Sequence, residues 1–107
     1  VSFEVHLTRD AERDLQEIVA YIAAAESPEV AMSQLGQLES LIASLGENPE
    51  RGSYPNELLS LGIREFRQLH FKPWRLIYRV IGPHVYLYLV ADGRRDMQSL
   101  MQRRLLG

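Results

Sequence analysis

An α+β fold follows from three observations on the 107-residue sequence. The apolar period is helical from Ala11 to Leu45 and becomes two after Gly62. One short alternating segment precedes the helical stretch. Tight-turn signals at Lys72-Pro73 and Gly82-Pro83 divide the later alternating segments, so the last three strands run antiparallel. The expected order is β-α-α-β-β-β with a short C-terminal helix. The N-terminal strand and an antiparallel helical hairpin would pack on the antiparallel sheet, in one domain over residues 1–107.

Each element has a local reason. Phe3, Val5 and Leu7 alternate with Glu4, His6 and Thr8, the pattern of a half-buried strand. Thr8 is placed to cap a helix whose first turn carries Asp10 and Glu12. Ala11, Leu15, Ile18, Val19 and Ile22 mark its apolar face, and it should run to about Ala25. Ser27-Pro28 supplies a cap and an N1 proline for the second helix. Gly46 and Asn48-Pro49 stop that helix. Residues 47–62 read as a loop. Ile63–Phe71, Trp74–Ile81 and His84–Ala91 read as strands, and residues 95–106 as a helix with Met97, Leu100, Met101 and Leu105 on one face.

Composition narrows the class. A chain of this length buries roughly two-thirds of its unfolded surface, enough for a core. There is no cysteine, which removes disulfides, thiolate metal sites and a cysteine nucleophile. No apolar run approaches the ~18 residues that span a bilayer, so no membrane partner is expected. No signal-peptide pattern opens the chain, and the cytoplasm is the expected compartment. The net charge of −2 hides an asymmetry. Residues 1–60 carry eleven acidic and three basic residues; residues 61–107 carry nine basic and three acidic. Eleven of the twelve basic residues are arginine, whose fork suits carboxylates and phosphates. Two readings follow: the halves neutralise each other on folding, or the basic half meets an anionic partner.

The strand parity locates that basic half. In the last strand Val85, Leu87, Leu89 and Ala91 should pack on the helices, with His84, Tyr86, Tyr88 and Val90 opposite. Arg75 and Arg79 would share the outer face with Tyr86 and Tyr88, offering cations and stacking rings to a nucleic acid or an acidic peptide. A solvated face with cross-strand pairs is the plainer alternative.

Sites for other chemistry are sparse. His6, His70 and His84 have no metal-ligand spacing, so no metal or cofactor is expected. His84 reads as an exposed turn residue, and Asp10, Asp14 and Glu17 as a solvated acidic face. Phosphate-loop, dinucleotide-binding and nucleophile-elbow motifs are absent. The one constellation with chemical potential is cationic: Arg64, Arg67, Lys72, Arg75, Arg79, Arg94 and Arg95.

Several segments together resemble the RelE/ParE superfamily of type II toxin–antitoxin toxins. They are Leu7-Thr8-x-x-Ala11-Glu12-x-Asp14-Leu15-x-x-Ile18 with Tyr21, Leu45-x-x-Asn48-Pro49-x-x-Gly52, Gly62-Ile63-Arg64-x-Phe66, Trp74 through Val80, and Gly93-Arg94-Arg95-Asp96. The resemblance spans nearly the whole chain and implies the fold derived above. It implies one of two activities. ParE-like toxins bind DNA gyrase and block replication; RelE-like toxins cut mRNA on the ribosome. A member that has lost toxicity and serves only as an antitoxin ligand is a third possibility.

For the nuclease branch, Arg75 matches the third-strand arginine and Arg95 the arginine after the last strand. Arg64 or Arg67 would stand for second-strand bases, and His70 for a general base. Met101 stands where that branch has a tyrosine, and a thioether exchanges no proton. The expected reading is therefore a ParE-like toxin. Its antitoxin and target would be met by Arg64, Arg67, Lys72, Arg75, Arg79, Tyr86, Tyr88, Arg94 and Arg95. The resemblance leaves enzymatic activity open.

Overall fold

The computed structural model describes residues 2–107. Strand β1 (Glu4–Leu7) leads into helix α1 (Arg9–Ala25) and helix α2 (Pro28–Ala43). A short helix α3 (Asn56–Leu59) precedes β2 (Arg67–Phe71), β3 (Trp74–Ile81) and β4 (His84–Asp92). Helix α4 (Met97–Met101) continues into a wider π-type turn over Gln102–Leu106. The sheet order is β1-β4-β3-β2, with β1 parallel to β4 and the other pairs antiparallel.

The capping signals operate as read. Thr8 Oγ1 accepts from Ala11 N at 3.1 Å and Ser27 Oγ from Val30 N at 3.1 Å, each satisfying an amide that the helix leaves unpaired. α1 and α2 pack on one face of the sheet, where Leu15, Ile22, Leu38 and Ile42 meet Leu76, Tyr78, Val85 and Leu87. Burying each such side chain is worth about 1.5–3 kcal/mol.

The other face is covered too, which the sequence reading missed. Leu58 of α3, Phe66, and Met97, Leu100 and Met101 of α4 form a second cluster over Ile77, Leu89 and Ala91. The cause is a bulge. Ile77 pairs with Leu89 but Tyr78 pairs with Leu87, leaving Tyr88 as an extra residue. Beyond it the parity of β4 inverts. Val85 and Leu87 face the helical hairpin as expected, whereas Leu89 and Ala91 face α3 and α4, and Val90 joins the hairpin side.

Two further boundaries differ. The expected strand from Ile63 begins only at Arg67, and the loop before it contains α3. Gly62 adopts φ 76°, and the amides of Leu61, Gly62 and Ile63 bond back to carbonyls of Leu58 and Leu59. That closes α3 with a left-handed glycine turn and leaves Ile63 and Phe66 to pack into the second cluster. The terminal helix starts at Met97, not at residue 95, because Asp96 caps it by accepting from Ser99 N at 3.2 Å.

Tyr78 ties the loop to the sheet. It is fully buried; its hydroxyl donates to Pro49 O at 2.7 Å and accepts from Gly52 N at 3.0 Å. A Cβ on Gly52 would lie 2.5 Å from Gln68 O and 2.6 Å from that hydroxyl, so only glycine fits. Burial pushes the Tyr78 phenol above its ordinary pKa.

Candidate functional site

The sheet does not present its arginines as one bare face; it sorts them into three groups. Arg75 is enclosed. Its guanidinium donates to both Glu57 oxygens, at 2.7 and 2.8 Å, and its Nε donates to Gln68 Oε1 at 2.9 Å. Its side chain is 12% exposed. The aliphatic stem runs beneath Gly93, where a Cβ would meet Arg75 Cδ at 2.9 Å. Hydrogen bonding to Arg75 lowers the Glu57 carboxyl from its ordinary pKa. The expectation that Arg75 lies open on the outer face is thus corrected: it fastens α3 to the sheet.

The second group is open. Arg67 donates to Gly52 O at 2.9 Å and to Tyr54 Oη at 3.1 Å, and its guanidinium carbon stands 4.5 Å from the Tyr54 ring centre. Arg64 stands 5.6 Å from the same ring, and Arg79 is 5.8 Å from the Phe66 ring. The three arginines line one shallow depression with Glu65. Among the described residues, none of the three has a carboxylate within 4.0 Å. Arginine on an aromatic face can still offer in-plane N–H groups to an anion. Arg67 has already committed N–H groups of both terminal nitrogens to Gly52 O and Tyr54 Oη and offers only those that remain. Tyr54, which sequence reading left in a loop, is the platform. It sits outside any periodic segment, so parity could not find it.

The third group lies at the turns. Lys72 is exposed between β2 and β3. Arg94 is bound to Asp92, and these hydrogen bonds hold the Asp92 carboxyl down at about 2. Arg95 is exposed. His70 is exposed on β2, opposite Arg75, and lines a different depression with Arg51 and Ser44 of the α2 side. Met101 is fully buried, so its position offers no group to a substrate.

Neither predicted tyrosine acts as a stacking platform beside the arginines. Tyr88, at the bulge, meets Phe66 edge-on with ring centres 5.5 Å apart. Tyr86 pairs with Arg79 across the strands but stacks on His6, centres 5.0 Å apart. His6 and His84, 78 residues apart, are neighbours through the parallel pairing of β1 with β4. Asp14 is not part of a solvated face either: its side chain is 13% exposed and bound to Arg104.

On the opposite face a groove of about 620 Å³ runs along α1 and α2. Leu7, Leu15, Val19 and Leu35 form its floor, with Glu12 and Glu39 among its polar lining residues.

Comparison with known proteins places this architecture. The family model described as ParE toxin of type II toxin-antitoxin system, parDE, matches residues 5–97. Toxin ParE3 of Caulobacter vibrioides is 28% identical over 97 residues, which cover 91% of this chain and 93% of that protein. Among solved structures, the chromosomal ParDE toxin–antitoxin system from P. aeruginosa superposes with a TM-score of 0.72 at 20% identity, over 85% of this chain and 96% of that one. The RelBE2 toxin–antitoxin complex of Mycobacterium tuberculosis gives 0.59 at 21% identity, over 86% and 92%. A mutant of E. coli toxin RelE in the free state gives 0.64 at 13% identity, over 98% and 100%. These three likenesses are of fold.

Proposed function

The chain belongs to the ParE toxin family of type II toxin–antitoxin systems, and on that premise we propose that it arrests growth by disabling DNA gyrase and is held inactive by a cognate antitoxin. The observation that supports gyrase over mRNA is the enclosure of Arg75 by Glu57 and Gln68. A nuclease arginine must meet a phosphodiester as charge develops on it. This one already has a bidentate carboxylate, and withdrawing it would strand a half-buried anion. Met101, buried where a nuclease would need a proton-exchanging group, supports the same reading.

Two surfaces suit the antitoxin. An acidic stretch fits the patch of Arg64, Arg67 and Arg79, and an amphipathic helix fits the groove floored by Leu7, Leu15, Val19 and Leu35. Lys72, Arg94 and Arg95 then remain for the target. The open patch favours one alternative, ribosome-dependent mRNA cleavage with His70 as base, although His70 lines a depression apart from the patch.

The test is pulse labelling after induction. Thymidine incorporation should stop while methionine incorporation continues, and antitoxin co-expression should restore growth. Prompt loss of methionine incorporation with mRNA cleavage would overturn the proposal.

A further inference from the structure

Three side chains from the two ends of the sequence converge on the edge of the sheet, and nothing in the toxin reading uses them. Parallel pairing sets Glu4 beside His84 and His6 beside Tyr86. His6 Nε2 lies 3.0 Å from His84 Nδ1. Glu4 Oε2 lies 3.4 Å from that His84 nitrogen and 3.8 Å from His6 Nε2.

The spacing is that of a coordination face. Two ligand atoms ~2.05 Å from a tetrahedral ion stand about 3.3 Å apart. The triangle here has edges of 3.0, 3.4 and 3.8 Å, so shifts of a few tenths of an ångström would bring all three atoms onto one ion. Two imidazoles and one carboxylate are a donor set for zinc and its neighbours; calcium and magnesium prefer oxygen throughout. The histidines are held by strand register. Tyr86 stacks on the His6 ring at an interplanar angle of 22°, which fixes its plane. Glu4 is 69% exposed, leaving a fourth position toward water.

We infer that Glu4, His6 and His84 form a site for a divalent transition-metal ion, zinc foremost, which clips edge strand β1 to β4. Without the ion, one ring nitrogen donates a hydrogen bond to the other. The ion needs both lone pairs, so the donor ring moves its proton to its other nitrogen. A neutral pair therefore binds by changing one tautomer and releases no proton.

The experiment titrates the full chain with zinc chloride by calorimetry, follows thermal unfolding, and records the visible spectrum with cobalt. Expected are one equivalent bound with a micromolar Kd, a raised Tm and the absorption of four-coordinate cobalt. His6→Ala and His84→Ala should each weaken binding about tenfold or more, and His70→Ala should not. No binding at millimolar zinc would overturn the inference, as would binding that survives both substitutions or requires His70. Should a variant fail to fold, imidazole NMR of the unsubstituted chain decides. Zinc should perturb the His6 and His84 rings, and perturbation confined to His70 contradicts the site.

Discussion

Arg104, on the C-terminal turn, meets Asp14 of α1 directly over the bulge in β4. Its guanidinium donates to both Asp14 oxygens, at 3.1 and 2.9 Å, and to Tyr88 O at 3.0 Å. Asp14 Oδ2 also accepts from Val90 N at 3.0 Å. The bulged residue's own carbonyl and the amide of Val90 just after it are thereby satisfied by a side-chain ion pair, which joins the first helix, the sheet and the last turn.

Asp14→Ala removes the acceptor for Val90 N and leaves Arg104 without its carboxylate. Removing one partner of an enclosed pair leaves the other uncompensated, and a loss of about 2–4 kcal/mol is expected. Urea unfolding measures it. A loss below about 0.5 kcal/mol, the range of ordinary surface changes, would show that the pair carries no load.

Gly52→Ala should destabilise by about 1–3 kcal/mol, because the added methyl overlaps the Gln68 carbonyl and the Tyr78 hydroxyl. Tyr78→Phe should cost about 1–3 kcal/mol, because Pro49 O and Gly52 N lose their shared partner. The two effects should not add, since both break one junction. Thermal unfolding of the two single variants and the double variant tests this.

Stability should fall in acid through Glu57 and Asp92. Both carboxyls have folded pKa values below their ordinary 4.5 and 3.8, by hydrogen bonds from Arg75 and Arg94. A depressed carboxyl stabilises the fold above its unfolded pKa, and that contribution is lost as pH falls through the folded value. The Asp92 contribution should therefore disappear between about 3.8 and about 2. Glu57→Gln should flatten the part of the profile that falls below 4.5. Unfolding curves from pH 7 to 2 read both; an unchanged profile in the Glu57 variant would contradict the pairing with Arg75.

Reversing charge in the open patch should separate binding from folding. Arg64→Glu and Arg79→Glu should leave unfolding free energy within about 0.5 kcal/mol. Each should weaken antitoxin binding about tenfold, with a shallower dependence on salt. Calorimetry at two salt concentrations decides. Unaltered affinity would place the antitoxin's acidic stretch elsewhere.

The fold was legible where local chemistry acts alone. Thr8 and Ser27 cap and Pro28 starts because each acts on its immediate neighbours. Gly46 does not stop the second helix, which ends at Ala43, and lies within the tighter turn Ser44–Gly46 that follows. Parity in β4 was legible only as far as Leu87, because the extra residue at Tyr88 is a property of two strands together. α3 lay hidden since four residues set no period. The site was less legible for a physical reason. Arginine type and number are visible in sequence, but partners are not. Glu57 and Arg75 are 18 residues apart, and Asp14 and Arg104 are 90 apart. The acidic and basic halves of the chain do neutralise each other at these two pairs, while Arg64, Arg67 and Arg79 stay open. Resemblance supplied the toxin family, and geometry then showed which arginines are still available.

The most direct measurement is supercoiling of relaxed plasmid by purified gyrase in the presence of the purified toxin, run beside mRNA cleavage on translating ribosomes. Supercoiling should be inhibited and then restored by the antitoxin, with mRNA intact. Undiminished supercoiling together with ribosome-dependent cleavage that Arg75→Ala or Arg95→Ala abolishes would contradict the account.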